Sequence, residues 1–274
     1  MLITFNAKKI ARLIIDILFR KTKPLEEFIF DQDLHMKDID LVTIAFNNEK
    51  VIRYQIAFIK KNLTDRYCYT IVDNSTDSTV AEKIKDICIR NKINYIRLRK
   101  NRNTESNSHG TALNWVYYNF ILKRNLKFFG FLDHDIFPVA KTSIVNILNE
   151  SAVGCFGPTI ENDKRWFIWA GFCFFHLSKL KTSKLNFMPR NGLDTGGMNW
   201  YILYKHIRRE SLPFIIHEHK KFTQGQIRQV DDYEIFNNTW LHSINASQWF
   251  NSDCEKMKRK EILLENLLNK YLQD

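Results

Sequence analysis

The sequence predicts an α/β fold: a mostly parallel central sheet flanked by helices, with a further helix at each end. Three observations predict it. Apolar β-type runs alternate with helical periodicities between residues 40 and 132, at the spacing of βα units. Amphipathic helical patterns close the two ends, at 8–23 and 255–272. The chain has 274 residues, 45% hydrophobic and 14% aromatic, enough for one sizeable core and unlike a disordered or low-complexity chain.

The elements follow in order. In segment 8–23, Ile10, Leu13, Ile14, Ile17 and Leu18 recur on one helical face, and Pro24 ends it. Residues 40–46 (DLVTIAF) read as a buried strand. Residues 49–61 read as a helix with Ile52, Ile56 and Ile59 inward. YCYTIVD at 67–73 is a second strand, 77–91 a helix on Val80, Ile84, Ile87 and Cys88, and 94–98 a third strand. A helix over 109–123 precedes the fourth strand, FFGFL at 128–132. The second half is less regular: strands at 152–156 and 167–175 (FIWAGFCFF), a helix from Thr195 to Tyr204, and a terminal helix carrying Leu263, Leu264, Leu267, Leu268 and Leu272. Strand-to-strand crossovers of one hand place helices on both faces. The expected organisation is a helix and linker over 1–36, one domain over 37–250 divided near 140, and a helix over 251–274.

The net charge of +11 points to an anionic partner. Segment 8–23 alone holds six bases against one acid, so +5 of the surplus sits there. Two readings stand for it. It packs on its own domain with a solvated basic rim, or it lies on an anionic membrane surface. The stretch 10–19 is broken by Arg12 and Asp16, too charged to span a bilayer, and no small-residue cleavage site follows. The five cysteines are odd in number and scattered, so neither a disulfide framework nor a CxxC zinc site is readable. A cytoplasmic protein is expected, peripheral on the inner face of the membrane if the helix binds it.

Ligands of open parallel sheets bind beyond the C-terminal strand ends, where strand order switches. The residues there are Phe46, Asn47, Asn48 and Glu49 after the first strand, and Asp73 to Ser78 after the second. The fourth strand delivers Asp133-His134-Asp135. Two carboxylates two residues apart on extended backbone point the same way and need a cation or donors between them. Mg2+ or Mn2+ is the natural filler, since either shares its shell with a diphosphate. Asp77 caps the helix that follows it, whereas Asp73 sits at the strand tip. Between 97 and 103 the chain is basic, and Arg99 is a candidate wall for a diphosphate. No P-loop, GxGxxG, GxSxG or HExxH occurs.

VTIAFNNEKVI, IVDNSTDST, SNSHGTALNW and FFGFLDHDIFP, in this order over residues 40–140, resemble the GT-A glycosyltransferases of the family 2-like group. The resemblance implies the nucleotide-diphospho-sugar transferase fold and a metal-dependent, inverting transfer. The donor is a nucleotide-diphospho-sugar and the acceptor a glycan or lipid-linked precursor of surface polysaccharide. It implies that Asp73 contacts the nucleoside and that Phe46 and Asn47 line the base pocket. Asp133 and Asp135 hold the diphosphate through Mn2+ or Mg2+, and His109 and Gly110 approach the sugar nucleotide. Two departures stand out. Pro-x-Tyr-Asn is replaced by Ala45-Phe46-Asn47-Asn48, and His134 occupies the centre of the DxD.

An inverting transfer needs a carboxylate to take the acceptor proton. The resemblance puts it at Asp194, in Asn191-Gly192-Leu193-Asp194-Thr195-Gly196-Gly197, where a helix-capping role competes. Trp166 and Trp169 are candidates for stacking on a sugar or for the core. His242 matches the late histidine that closes the metal site in some relatives, against a structural histidine. His217-Glu218-His219 aims two histidines one way without a third ligand nearby. A nucleotidyltransferase would carry a Gly-rich basic loop after the first strand, and 46–49 has none. A basic nucleic-acid-binding protein is disfavoured by the acidic strand ends, and no nucleic acid is expected.

Overall fold

A computed structural model of the chain describes residues 2–30, 33–180, 182–221, 232–244 and 254–273. Helix α1 (Leu2–Phe19) leads to β1 (Glu26–Phe28). Then come β2 (Ile39–Ala45), α2 (Glu49–Asn62), β3 (Tyr67–Asp73), α3 (Ser78–Asn91), β4 (Asn94–Arg97) and α4 (Glu105–Val116). A π-helical turn (Tyr117–Ile121) and a last turn α5 (Leu122–Arg124) carry the chain into β5 (Phe128–Asp133). The second half holds β6 (Ile136–Pro138), α6 (Ile144–Glu150), β7 (Cys155–Phe156), β8 (Thr159–Asn162), β9 (Arg165–Ile168) and β10 (Phe172–His176). It ends with α7 (Asn199–Ile202), β11 (His217–Lys221), β12 (Asp232–Phe236), β13 (Trp240–His242) and α8 (Cys254–Gln273).

The central sheet has seven strands in the order β1-β4-β3-β2-β5-β10-β7. β4, β3, β2 and β5 run parallel; β1 and β10 are antiparallel to their neighbours. Strand β2 alternates: Val42 and Ile44 face Trp115, Val116, Phe129 and Phe131, while Ile39 and Leu41 face Ile52, Ile56, Ile84 and Ile87. That two-sided burial explains the apolar strands and the helices on both faces. Much of the phenylalanine goes into one layer: Phe129 stacks on Phe175 at 4.9 Å and Phe131 meets Phe187 edge-on at 5.0 Å. Cys68, Cys88, Cys155 and Cys173 are buried, and among the described residues none is in a disulfide. No described helix is long and apolar enough to cross a membrane.

A second, antiparallel sheet, β11-β12-β13-β6, stands against the first. Helix α8 seals it and α2 through Val51, Phe58, Phe137, Leu241, Leu264 and Leu268. The Lys61 ammonium donates to the carbonyls of Tyr271 (3.1 Å) and Leu272 (2.8 Å), satisfying the α8 C-terminus.

Four expectations are corrected. Helix α4 starts at Glu105 rather than His109, because its first turn faces polar loops and shows no apolar period. The run 167–175 is two strands, parted by a turn at 169–171 that its unbroken hydrophobicity conceals. The strand read at 152–156 keeps only Cys155–Phe156. The helix expected from Thr195 begins at Asn199, since Gly196 lies in the left-handed region (φ 91°) and breaks propagation.

Helix α1 lies on α4 by a face other than the one its periodicity marks. Asp16 and Phe19 point inward. The Asn114 amide donates to Asp16 (3.0 Å), Arg20 pairs with the same carboxylate, and the Trp115 indole N–H donates to the Thr22 carbonyl (2.9 Å).

Candidate functional site

The strand order reverses between β2 and β5, which are neighbours in register up to Ile44 beside Asp133. In open parallel sheets, ligands bind beyond such strand ends. The loop after β2 is fixed first. Asn48 caps α2 by accepting from the Val51 N–H (3.3 Å). Asn47 adopts the left-handed conformation (φ 48°), which asparagine tolerates. Its side-chain oxygen accepts from the Thr76 and Asp77 N–H groups, both at 3.0 Å, and its amide nitrogen donates to Thr76 Oγ1 (2.9 Å). Asn47 therefore clamps the β2 loop to the β3 loop.

Asp73 is fully buried at the end of β3. One oxygen accepts from the Ser75 N–H (2.8 Å), the other from the Tyr95 hydroxyl (2.8 Å) with Arg97 at 3.4 Å. Glu49, on the first turn of α2, pairs with Lys83 at 3.2 Å. Arg99 is exposed and its Nε donates to the Lys23 carbonyl (3.1 Å), next to α1. Ser108 ties the loops together, its hydroxyl accepting from Asn101 (3.0 Å) and Asn74 (3.3 Å).

The Asp133-His134-Asp135 turn is the centre. The Asp133 N–H donates to the Gly171 carbonyl (2.7 Å). Gln55 reaches up from α2, its amide donating to the carbonyls of Asp133 and Ile136, both at 2.8 Å. Its own oxygen accepts from the Tyr69 hydroxyl (2.8 Å). His134 turns inward, where Nδ1 accepts from the Phe46 N–H (3.3 Å) and locks the two switch-point loops together. Burial pushes the His134 imidazole below its usual range, which suits that acceptor role. The histidine at the centre of the acidic triplet is thus a structural pin.

The two carboxylates sit among histidines. His109 Nε2 lies 3.5 Å from Asp133, and His242 Nε2 lies 3.7 Å from Asp135. Burial, with Asp135 alongside, holds the Asp133 carboxyl above the usual carboxylate range. His242 Nδ1 donates to Glu234 at 2.7 Å across the β12–β13 pair. Burial opposes charge on His242, but Asp135 and Glu234 outweigh it and raise its pKa. His217 (3.1 Å) and His219 (3.9 Å) approach the same glutamate from β11. The two histidines do point one way, as alternation requires, and what they meet is Glu234.

Trp169 is half-buried with its ring 4.9 Å from His242, whereas Trp166 is core, 5.1 Å from Tyr204. Gly171 admits no side chain: a Cβ there would stand 2.3 Å from the Trp169 ring and 2.4 Å from the Asp133 carboxylate. Gly110 is packed out as well, since a Cβ would lie 2.7 Å from the Phe187 carbonyl. Its bareness serves the seating of α4. Asp194 is exposed on the turn before α7 and does not cap that helix. The neighbouring Thr195 hydroxyl donates to the Ser106 carbonyl (3.1 Å) of α4, and a Cβ on Gly196 would lie 3.3 Å from Ala170 Cβ. The Asp194 turn therefore rests on the turn that holds Asp133.

Among the described residues no group of three His, Cys, Asp or Glu is arranged to hold a metal ion alone. The donor set fits a hard cation that shares its shell with substrate. Mg2+ and Mn2+ are commonly held by one or two carboxylates plus phosphates, not by an all-protein cage. A histidine whose far nitrogen is anchored on a carboxylate is the usual form of a metal-facing imidazole.

Sequence reasoning missed Gln55, Gly171 and Glu234. Gln55 had a signal, being an amide within the inward stripe Ile52, Ile56, Ile59 of α2. Gly171 and Glu234 had none, because their roles arise from strand ends far apart in sequence.

No protein-family model and no curated protein matches the sequence. Among solved structures, the chain is similar to the mannosyltransferase PcManGT from Pyrobaculum calidifontis, in complex with GDP-Man and Mn2+. Identity is 12% and the TM-score 0.41, over 69% of this chain and 60% of that one. It is similar to S. aureus TarS 1-349 in complex with UDP-GlcNAc at 14% identity and TM-score 0.40, over 60% and 53%. It is similar to the mannosyltransferase Ktr4p from S. cerevisiae at 10% identity and TM-score 0.37, over 63% and 66%. The chain spans less than two thirds of the length of each.

Proposed function

We propose that this chain is a metal-dependent GT-A glycosyltransferase. It moves a sugar, with inversion, from a nucleotide-diphosphate donor to a glycan or lipid-linked acceptor in surface polysaccharide synthesis. The observation that carries the reading is the Asp133-His134-Asp135 turn at the switch point, with both carboxylates flanked by histidine nitrogens at 3.5 and 3.7 Å. Bound Mn2+ or Mg2+ supplies Lewis-acid stabilisation of the departing diphosphate. Asp133, Asp135 and His242 would contribute ligands to that ion, with substrate phosphates completing its shell. His109, from the second turn of α4 with Nε2 3.5 Å from Asp133, would orient that carboxylate and donate to a donor phosphate. The Trp169 ring offers an apolar face to a sugar beside the carboxylates. Phe46, its N–H pinned by His134, lines the nucleoside side. Asp194, exposed on the adjoining turn, takes the acceptor proton.

Donor hydrolysis with and without EDTA tests this reading. The expected result is turnover with a UDP, GDP or CMP sugar that EDTA stops and Mn2+ restores. Turnover indifferent to EDTA removes the role given to the two aspartates.

Glu234 orients His242 by holding its Nδ1–H, which leaves Nε2 towards Asp135. Glu234→Ala is expected to weaken Mn2+ binding by about 10- to 100-fold, as loss of such anchors typically does. Titration of Mn2+ by electron paramagnetic resonance checks it, and an unchanged affinity takes His242 out of the metal's shell.

A further inference from the structure

We propose that the outward face of α1 docks this protein on an anionic lipid bilayer, whatever reaction the cleft performs. The observation is the way the helix is turned. Its polar Asp16 is inside, bonded to Asn114 and Arg20, while its apolar stripe is outside. Ile10, Ile14, Ile17 and Leu18 recur on one face and are 58%, 51%, 52% and 58% exposed. Leu25, just past the helix, is 51% exposed as well. A stripe spaced for burial and left in water marks a surface meant to be covered.

Charge selects what covers it. Lys8, Arg12, Lys21 and Lys23 are exposed on the same segment. The loop carrying exposed Arg99, Lys100 and Arg102 joins them. It is tied to the segment at both ends, Arg99 donating to the Lys23 carbonyl (3.1 Å) and Asn103 to the Arg12 carbonyl (3.4 Å). The acids nearby are Asp16, spent on Arg20, Glu26, paired with Lys85, and exposed Glu27 and Glu105. A second copy meeting this face would bring like charges together. A nucleic acid would satisfy the cations and leave the isoleucines in water. An anionic bilayer satisfies both, with apolar side chains in the acyl boundary and lysines and arginines at the headgroups. Each cation near such a surface strengthens partitioning about fivefold.

The test is co-sedimentation of the full chain with vesicles of phosphatidylcholine, with and without one third phosphatidylglycerol. Binding to the anionic vesicles is expected, weakening as salt rises. Ile14→Glu with Ile17→Glu should cut it at least tenfold, and Lys21→Glu with Lys23→Glu at least fivefold. Because these side chains face out, melting temperature and donor hydrolysis should hold for both variants. Failure of the parent chain to bind anionic vesicles overturns the proposal, as does undiminished binding by the isoleucine variant. A concentration-dependent dimer that the isoleucine variant abolishes assigns the stripe to a second copy and overturns it too.

Discussion

Asp133→Ala is expected to lower sugar transfer and donor hydrolysis by on the order of a thousandfold or more, in line with loss of a principal charge-stabilising group. Folding should be spared. The side chain ends β5 and is partly open, and the bonds that shape the turn come from its backbone, to Gly171 and Gln55. The titration argument has the same sign. A carboxyl whose folded-state pKa is raised resists ionisation, so at neutral pH it opposes folding, and its removal does not destabilise. Circular dichroism and a melting curve beside the donor assay check both halves. Parent-like turnover with an intact fold would place the diphosphate elsewhere.

Asp194→Asn is the second large effect. The amide is nearly isosteric and takes up no proton, so transfer to acceptor should fall by about 10² to 10⁴, the usual worth of a general base. Donor affinity should stay near normal, because the carboxylate is exposed and, among the described residues, its bond is local, to the Thr195 hydroxyl at 3.5 Å. Donor binding by thermal shift and transfer by product analysis separate the two. Equal losses in both would make Asp194 a determinant of the donor site, and undiminished transfer would move the base elsewhere.

What the sequence disclosed followed from locality. Strand β3 was read to the residue, and the other parallel strands to within one, because each is an apolar run cut off by polar residues at the sheet edge. The Asp133-His134-Asp135 turn was legible for the same reason: acids directly after FFGFL cannot be core. Non-local facts were hidden. Glu234 meets His242 only through the β12–β13 register, and Gly171 meets Asp133 only because β10 runs antiparallel to β5. The orientation of α1 was unreadable from periodicity, which marks an apolar face without saying whether the protein itself covers it. His217 and His219 showed their alternation but not their shared partner.

The buried Gln55 amide grips the carbonyls on both sides of the acidic turn and is itself gripped by Tyr69. The backbone there has surrendered its freedom during folding, so a ligand binding at the two aspartates would meet a receptor already in shape. The ordering entropy that a floppy acidic loop would demand at each encounter falls instead on a single event, the collapse of α2 onto the sheet.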